Sequence, residues 1–273
     1  MLRCGRFRFD LTRPLVMGIV NATPDSFSDG GRHATAERAI EHGLRLRQEG
    51  ADILDVGGES TRPGATPVGE DEELARVLPV LAGLHDCGAA LSIDTMKPRV
   101  MAAALAAGAD MINDVNALRA EAALAAVSGS DCGICLMHMQ GTPQTMQLAP
   151  DYDDVVAEVA GFLHERMNAL RQAGIAGERI LIDPGFGFGK TPAHNVALFR
   201  ALPHFAKLAP VLVGMSRKSL FGILTGRPVT ERTIASVAAA MLAAMQGAAI
   251  LRVHDVAATI DALKVLETLG HDQ

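Results

Sequence analysis

The chain has 273 residues, of which 49% are hydrophobic and 21% are charged, and this balance excludes a disordered protein. The formal net charge of −6 argues against nucleic acid or an anionic membrane as a partner. No apolar run of signal-peptide length follows the N-terminus, and the most apolar stretch, residues 235–253, is interrupted by Gln246, Gly247 and Arg252. We therefore expect a cytoplasmic protein without a membrane span.

Eight β-rich segments recur along the chain, and each runs into a polar or glycine-rich turn that precedes a helical pattern. The predicted strands are residues 15–21, 53–57, 90–94, 111–114, 133–138, 180–183, 211–214 and 249–253. The clearest helical patterns are residues 36–49, 98–107, 152–173, 195–202 and 232–246. This alternation predicts an α/β protein with a parallel sheet. Eight units in one chain fit a single (β/α)8 TIM-barrel domain over residues 1–273, and an open doubly wound sheet is the alternative.

Polar side chains stand at or just beyond the end of every predicted strand. Outside the second strand, which leads into the sequence GGESTRPG, they are Asn21, Asp94, Asn113, Asp114, His138, Asp183, Ser216, Arg217, Lys218, Arg252 and His254. Any one of them could serve only to cap a helix. Because the carboxyl ends of barrel strands converge on one mouth, polar groups at all eight ends favour an active site there.

The residue types at these ends indicate two kinds of binding chemistry. Carboxylate, amide and ammonium groups suit the edge of a flat heterocycle, and they come from Asp94, Asn113, Asp183 and Lys218. Positive groups suit a phosphate or pyrophosphate, and they come from Arg62, Arg252 and His254. Asn21 offers a hard oxygen ligand for Mg²⁺, which takes few protein oxygens when phosphate is present. The sequence therefore suggests a heterocycle that carries a pyrophosphate leaving group.

Two loops and two local motifs need separate interpretation. Residues 23–31 and 60–64 are rich in Gly, Pro and small polar residues, and Phe27 in the first loop either covers the site or packs on the barrel rim. The segment 185–191 is not a phosphate loop, because Pro184 occupies the position of its first glycine. Cys132 and Cys135 lie three apart on a predicted strand, so we expect buried, reduced thiols on opposite faces.

Eight segments resemble the dihydropteroate synthase family, and they extend from the first strand to the last. They are 17–31 (MGIVNATPDSFSDGG), 55–64 (DVGGESTRPG), 92–95 (SIDT), 112–114 (IND), 137–143 (MHMQGTP), 183–190 (DPGFGFGK), 214–218 (GMSRK) and 252–254 (RVH). The resemblance implies a transferase of folate biosynthesis that condenses 6-hydroxymethyl-7,8-dihydropterin pyrophosphate with p-aminobenzoate. It also implies a Mg²⁺ cofactor, inhibition by sulfonamides and a homodimer, with part of the Ala-rich run 236–245 at the subunit interface.

The resemblance assigns roles to residues of this sequence. The pterin site comprises Asp94, Asn113, Met137, Asp183, Gly187, Phe188, Lys218 and Arg252. The pyrophosphate site comprises Asn21, Arg62, Arg252 and His254, with Mg²⁺ at Asn21. The p-aminobenzoate pocket comprises Phe27, Thr61, Pro63 and Ser216. The residues expected to act in catalysis are Asp29, Arg62, Lys218, Arg252 and His254.

Two other functions remain open at this point. A non-catalytic pterin-binding paralogue would keep the barrel but lose turnover, and damage in the first two loops would then be expected. A pterin-dependent methyltransferase barrel would explain the heterocycle site but not the cationic pyrophosphate set. Because no general base is evident beside the aminobenzoate nitrogen, we expect the C–O bond of the pterin pyrophosphate to break before the nitrogen attacks.

Overall fold

The computed structural model describes residues 1–23, 32–60 and 64–270, with the side chains of residues 32–34 set aside. Within them, eight parallel strands close into a barrel, which confirms the predicted TIM barrel and excludes the open sheet. The barrel strands are β3 (Leu15–Asn21), β4 (Ile53–Gly57), β5 (Ala90–Asp94), β6 (Met111–Asp114), β7 (Gly133–Met137), β8 (Ile180–Asp183), β9 (Val211–Val213) and β10 (Ala248–Val253). The described helices are α1 (Arg32–Gln48), α2 (Glu70–Leu84), α3 (Pro98–Ala106), α4 (Ala123–Ser128), α5 (Val155–Gln172), α6 (Pro192–Arg200), α7 (Leu202–Phe205), α8 (Ser219–Thr225), α9 (Thr233–Met245) and α10 (Val256–Leu269).

The register of the barrel brings several strand ends to one level. Asn21 of β3 lies opposite Gly57 of β4, and Gly57 lies opposite Asp94 of β5. Asp94 in turn lies opposite Asn113 of β6. On the far side of the barrel, Met137 of β7 is level with Asp183 of β8. Side chains far apart in the sequence therefore meet at the carboxyl end of the barrel.

The predicted strand bounds are close to those observed, and the starts of two helices, α5 and α6, differ because a side chain caps the helix. α5 begins at Val155 because the Asp154 carboxylate accepts hydrogen bonds from the backbone N–H groups of Val156 and Ala157, both at 3.0 Å. α6 begins at Pro192, earlier than predicted, because Thr191 and His194 form a reciprocal capping box. Strand β7 ends at Met137, one residue earlier than predicted.

The core has an inner layer inside the barrel and an outer layer between strands and helices. Inward-facing residues such as Met17, Ile53 and Leu212 form the inner layer. An N-terminal hairpin of β1 (Leu2–Cys4) and β2 (Phe7–Phe9) adds the fully buried Leu2 and Cys4 to this inner layer. This hairpin was not predicted, because three-residue strands give too short a pattern to recognise.

The two cysteines of the C-x-x-C motif are both buried and free, as expected. Cys135 belongs to the inner layer and Cys132 to the outer one, so their thiols face opposite sides of the barrel wall. No helix in the described ranges has both the length and the apolar character needed to cross a membrane.

Candidate active site

A cleft at the carboxyl end of the barrel collects most of the residues predicted for the pterin. It is lined by Asp94, Asn113, Val115, Met137, Asp183, Phe188, Gly214, Lys218 and Arg252. All of the predicted pterin residues except Gly187 are among them. Its volume is about 30 Å³, roughly the share of one water molecule in the liquid. Most of the residues predicted for the pterin therefore meet in one cleft at the carboxyl end of the barrel.

A larger cavity of about 430 Å³ lies at the opposite end of the barrel. It is lined by residues of the segments before β3, β9 and β10, with Arg13 and Lys207 as its charged residues. Barrel enzymes place their chemistry at the carboxyl ends of the strands, and this cavity gathers neither carboxylates nor amides. We therefore assign the active site to the smaller cleft.

An arginine and two carboxylates form the floor of the cleft. Arg252 Nε lies 2.6 Å from Asp55 Oδ2, and Arg252 Nη2 lies 2.8 Å from Asp94 Oδ2. The same oxygen of Asp55 accepts a hydrogen bond from Asn113 Nδ2 at 3.1 Å. Burial raises the pKa of Asp94 to about 7, with Arg252 opposing the rise and Asp55 adding to it. Burial acts to lower the pKa of Arg252, but the two carboxylates outweigh it and raise that pKa.

Asp55 is a site residue that the sequence analysis missed. It lies in the middle of β4 between buried residues, and its side chain is fully buried. The sequence did contain a signal for it, namely a carboxylate inside a strand whose other residues are buried. Because unpaired charges are rarely buried, such a carboxylate indicates a charged partner nearby. Val115 and Gly214 were also missed, since neither has a polar side chain.

Three buried oxygens near the floor lack a hydrogen-bond partner within the described residues. They are Asp55 Oδ1, Ser92 Oγ and Asp94 Oδ1. Buried polar atoms without a partner cost free energy, so they mark places where a donor from water or a ligand would be favourable. The carboxylate oxygens suit the N–H groups along the edge of a heterocycle.

The opposite wall pairs an acid with a lysine. Burial raises the pKa of Asp183, which Lys218 opposes, and Asp183 Oδ1 accepts a hydrogen bond from the backbone N–H of Gly185 at 2.7 Å. Burial lowers the pKa of Lys218 to about 8, against the effect of Asp183. Lys218 Nζ lies 4.7 Å from the centre of the Phe188 ring and donates to the carbonyl of Phe186. A cation thus stands beside an aromatic face and an acid, which suits a planar polar ligand.

Four other predicted residues lie at the ends of neighbouring strands or in the loops that follow them, and they do not line the cleft. His254 contacts Ser216 through its backbone N–H at 3.2 Å and through Nδ1 at 3.0 Å, both to the hydroxyl oxygen. Asn21 is half-buried at the end of β3, next to β4 and β10. Gly187 lies beside Lys218, where a Cβ would be 3.3 Å from Lys218 Cδ.

Two strand-end residues have local structural roles, contrary to the expectation that all of them face the site. The Asp114 carboxylate accepts hydrogen bonds from the backbone N–H groups of Asn116 and Leu118, each at 2.7 Å. It therefore stabilises the turn that follows β6. His138 is buried, and its Nδ1 lies 3.0 Å from Lys190 Nζ. Neither residue lines the cleft.

Five predicted residues lie outside the described part of the chain: Phe27, Asp29, Thr61, Arg62 and Pro63. Among the described residues, no three side chains of His, Cys, Asp or Glu gather as a metal site. Asn21 would supply a single amide oxygen, which fits Mg²⁺ only if phosphate oxygens and water complete its coordination.

Comparison with known proteins gives the same picture over nearly the whole chain. A family model described as "Pterin binding enzyme" matches residues 17–254. The dihydropteroate synthase of Neisseria meningitidis serogroup B is 53% identical, over 98% of this chain and 97% of the relative. The Escherichia coli K12 dihydropteroate synthase is 50% identical, over 94% of this chain and 92% of the relative.

Solved structures with ligands are equally similar. Xanthomonas albilineans dihydropteroate synthase with 4-aminobenzoic acid superposes with a TM-score of 0.92 at 57% identity, covering 97% of this chain and 96% of that one. Burkholderia cenocepacia dihydropteroate synthase complexed with 7,8-dihydropteroate superposes with a TM-score of 0.91 at 54% identity, covering 98% and 96%.

Proposed function

The chain belongs to the dihydropteroate synthase family of pterin-binding enzymes, and we propose that it condenses 6-hydroxymethyl-7,8-dihydropterin pyrophosphate with p-aminobenzoate to give 7,8-dihydropteroate and pyrophosphate. The observation that carries this proposal is the cleft in which Asp94, Asn113, Asp183, Lys218 and Arg252 meet. Relatives more than 50% identical were solved with p-aminobenzoate or with the pteroate product, which supports both substrates.

The residues of the cleft favour loss of pyrophosphate before the nitrogen attacks. The bond between the exocyclic methylene carbon and the pyrophosphate oxygen breaks, and its electron pair leaves with the pyrophosphate. Arg252 stabilises the departing negative charge, while Asp94 and Asp183 favour the positive charge that spreads into the pterin. The aminobenzoate nitrogen then bonds to the methylene carbon and releases one proton.

The proposal includes Mg²⁺ because Asn21, at the end of β3, could bind it. Asn21 would hold the ion by its amide oxygen together with the substrate's pyrophosphate, and when bound the ion would neutralise charge on the leaving group. Arg62 and His254 are proposed to bind the same pyrophosphate, with Asp29 ordering the closed site. Phe27, Thr61, Pro63 and Ser216 are proposed to contact p-aminobenzoate, and sulfonamides are expected to compete there.

The deciding experiment measures pyrophosphate release with both substrates, with and without Mg²⁺. We expect release that requires both substrates and is lost in the presence of a chelator. Pterin binding without pyrophosphate release would instead favour the non-catalytic paralogue, and methyl transfer to a thiol or corrinoid would favour the methyltransferase.

The order of bond breaking can be tested by isotope exchange. Substrate with ¹⁸O in the bridging position should scramble that label into non-bridging positions when no aminobenzoate is present, since cleavage would be reversible. A C–O cleavage rate that depends on the identity of the aminobenzoate would contradict the dissociative path.

We also propose a homodimer that uses α8 and α9. The Ala-rich run packs its small residues inward, with Ala239, Ala240 and Ala243 buried. Ile234 on the other side of α9 is 86% exposed and Met245 is 63% exposed, a pattern that favours a protein interface. Ile223 and Leu224 of α8 and Leu242 of α9 are further exposed apolar residues of these two helices.

Sedimentation at micromolar concentration tests this interface. The wild type should sediment as a dimer, and Ile234→Glu should shift it to monomer, because a buried unpaired charge is costly. Leu148→Glu, at an equally exposed apolar residue outside α8 and α9, is the control and should leave the dimer intact. A monomeric wild type would refute the proposal.

A further inference from the structure

The glycine-rich loop between β8 and α6, residues 185–189, is held in place by side chains from outside it. Four consecutive carbonyl groups, from Phe186 to Gly189, each accept a hydrogen bond from a side chain. The donors, in that order, are Lys218, Gln147, Lys190 at 2.9 Å and Tyr152 at 2.8 Å. The loop matters for the cleft because it carries Phe188, one of the lining residues.

Lys190 has the most constrained position among these donors. Its side chain is nearly fully buried, at 3% exposure. Besides the carbonyl of Phe188, its Nζ lies 3.0 Å from His138 Nδ1 and 3.4 Å from the carbonyl of His138. An ammonium group has three N–H donors and no acceptor, so it matches these three acceptors. A neutral amine has two N–H groups and would turn a lone pair toward one acceptor.

The match requires a neutral His138 whose Nδ1 is an acceptor, and its surroundings favour that form. Burial lowers the pKa of His138 to about 3, and the charge of Lys190 contributes to this. The ring packs edge-on against Phe162, with ring centres 5.0 Å apart, which leaves it little freedom to turn. His138 at the end of β7 is therefore a fixed anchor for the lysine.

We propose that Lys190 is a positioning residue for the pterin site. Its ammonium group links the Phe188 carbonyl to the end of β7 and so fixes the position of Phe188 in the cleft. Loss of the proton on Lys190 weakens pterin binding. The pterin part of this inference rests on the proposed function. Lys190 is not among the residues that line the cleft. Its effect therefore passes through the loop.

The pKa of Lys190 is lowered into a range that a pH titration can cover. Burial lowers its pKa to about 7, against the effect of Asp183 and with a contribution from Lys218. His138 and Asp183 face it from the ends of β7 and β8, and Arg119 adds positive charge near His138.

Burial also raises the pKa of Asp94 to about 7 and lowers the pKa of Lys218 to about 8, so these two groups of the cleft share the pH range of Lys190. The test must therefore compare variants at each pH.

The sole tyrosine provides a local probe that does not depend on substrate. The chain has one Tyr and no Trp. The Tyr152 hydroxyl donates a hydrogen bond to the carbonyl of Gly189 in this loop. Burial raises the pKa of Tyr152 to about 12, so its phenol stays protonated across the experiment. Tyrosine emission of the wild type should change with a midpoint near pH 7, and Lys190→Met should abolish this transition. Because the His194 ring lies 5.0 Å from that of Tyr152, both titrations are repeated with His194→Gln.

Pterin binding is measured by calorimetry with 6-hydroxymethylpterin at pH 6 and pH 9. Lys190→Met should bind about tenfold more weakly than wild type at pH 6 and should approach the wild type at pH 9. Lys264→Met removes an exposed lysine of α10 and should match the wild type at both pH values. An affinity of Lys190→Met equal to that of the control at pH 6, or a tyrosine transition that survives in Lys190→Met, would overturn the proposal.

A measurement on the wild type covers the case in which Lys190→Met does not fold. The chain has only five lysines, so a protein labelled with ¹³Cε-lysine has a simple spectrum. We expect a resonance that titrates near pH 7 and persists in Lys218→Met, and its absence would refute the inference. If the wild type binds no pterin, the proposed function fails, whereas the tyrosine and lysine titrations still decide the role of Lys190.

Discussion

Replacing Asp55 by asparagine changes the charge on the floor of the cleft with little change in shape. Asp55 is fully buried and holds Arg252 Nε at 2.6 Å and Asn113 Nδ2 at 3.1 Å. Asparagine keeps an acceptor oxygen but removes one negative charge. Because burial and the charge of Asp55 both raise the pKa of Asp94, Asp55→Asn should lower that pKa from about 7.

The size of this effect follows from the shared guanidinium group. Two carboxylates on one guanidinium lie roughly 5 Å apart, which corresponds to about 3 kcal/mol of repulsion at an effective dielectric constant of about 20. That energy equals about two pH units, so the pKa of Asp94 should fall to about 5 in the variant. The expected shift is large enough to measure.

The shift has a defined consequence for stability. The pKa of Asp94 is about 7 in the folded protein, whereas the ordinary value for an exposed aspartate is 3.8. The folded state therefore binds more protons between these values, and stability falls as pH rises through that range. In Asp55→Asn the fall should end near pH 5. The free energy of unfolding of the wild type relative to the variant should therefore decrease by about 3 kcal/mol between pH 5 and pH 7.

Urea unfolding at pH 5, 6 and 7 measures this difference directly. Asp261→Asn, at a side chain that is 78% exposed, controls for the general effect of removing a carboxylate and should show no pH-dependent difference. A difference between wild type and Asp55→Asn that stays constant across the three pH values would show that Asp55 does not act on Asp94, and the reasoning would be wrong.

Three further substitutions test other parts of the structure. Lys218→Ala should weaken binding of the pterin pyrophosphate by about 1.5–3 kcal/mol, the range for a charged hydrogen bond, and unchanged affinity in calorimetry would remove it from the site. Lys97→Met should lower the free energy of unfolding by about 3–5 kcal/mol, since it strips the fully buried Glu73 of its cation; a loss too small to measure by urea unfolding would contradict this. Gly185→Ala should destabilise the protein strongly, because its φ is +72° and a Cβ would lie 1.8 Å from the carbonyl oxygen of His138. A Tm lowered by less than about 3 °C would contradict this steric argument.

The residues at the ends of the strands could be predicted because two simple patterns coincide. Buried strands read as apolar runs, and the first polar residue after such a run marks the end of the strand. Asp94, Asn113 and Asp183 were found in this way, and the structure brings them into one cleft. The same rule also selected Asp114 and His138, whose side chains satisfy local backbone and lysine partners instead. A strand-end position therefore predicts where a side chain starts, but not which way it turns.

The sequence by itself determined the alternation of strands and helices, the barrel that follows from it, and the opposite faces of Cys132 and Cys135, because these depend on local periodicity. Only the tertiary structure decided that Asp55 supports Arg252, a residue 197 positions away, and that Lys190 anchors the loop beside the cleft. Such pairings depend on barrel closure and strand register, which bring distant side chains within hydrogen-bond distance. No local pattern of residues encodes that proximity.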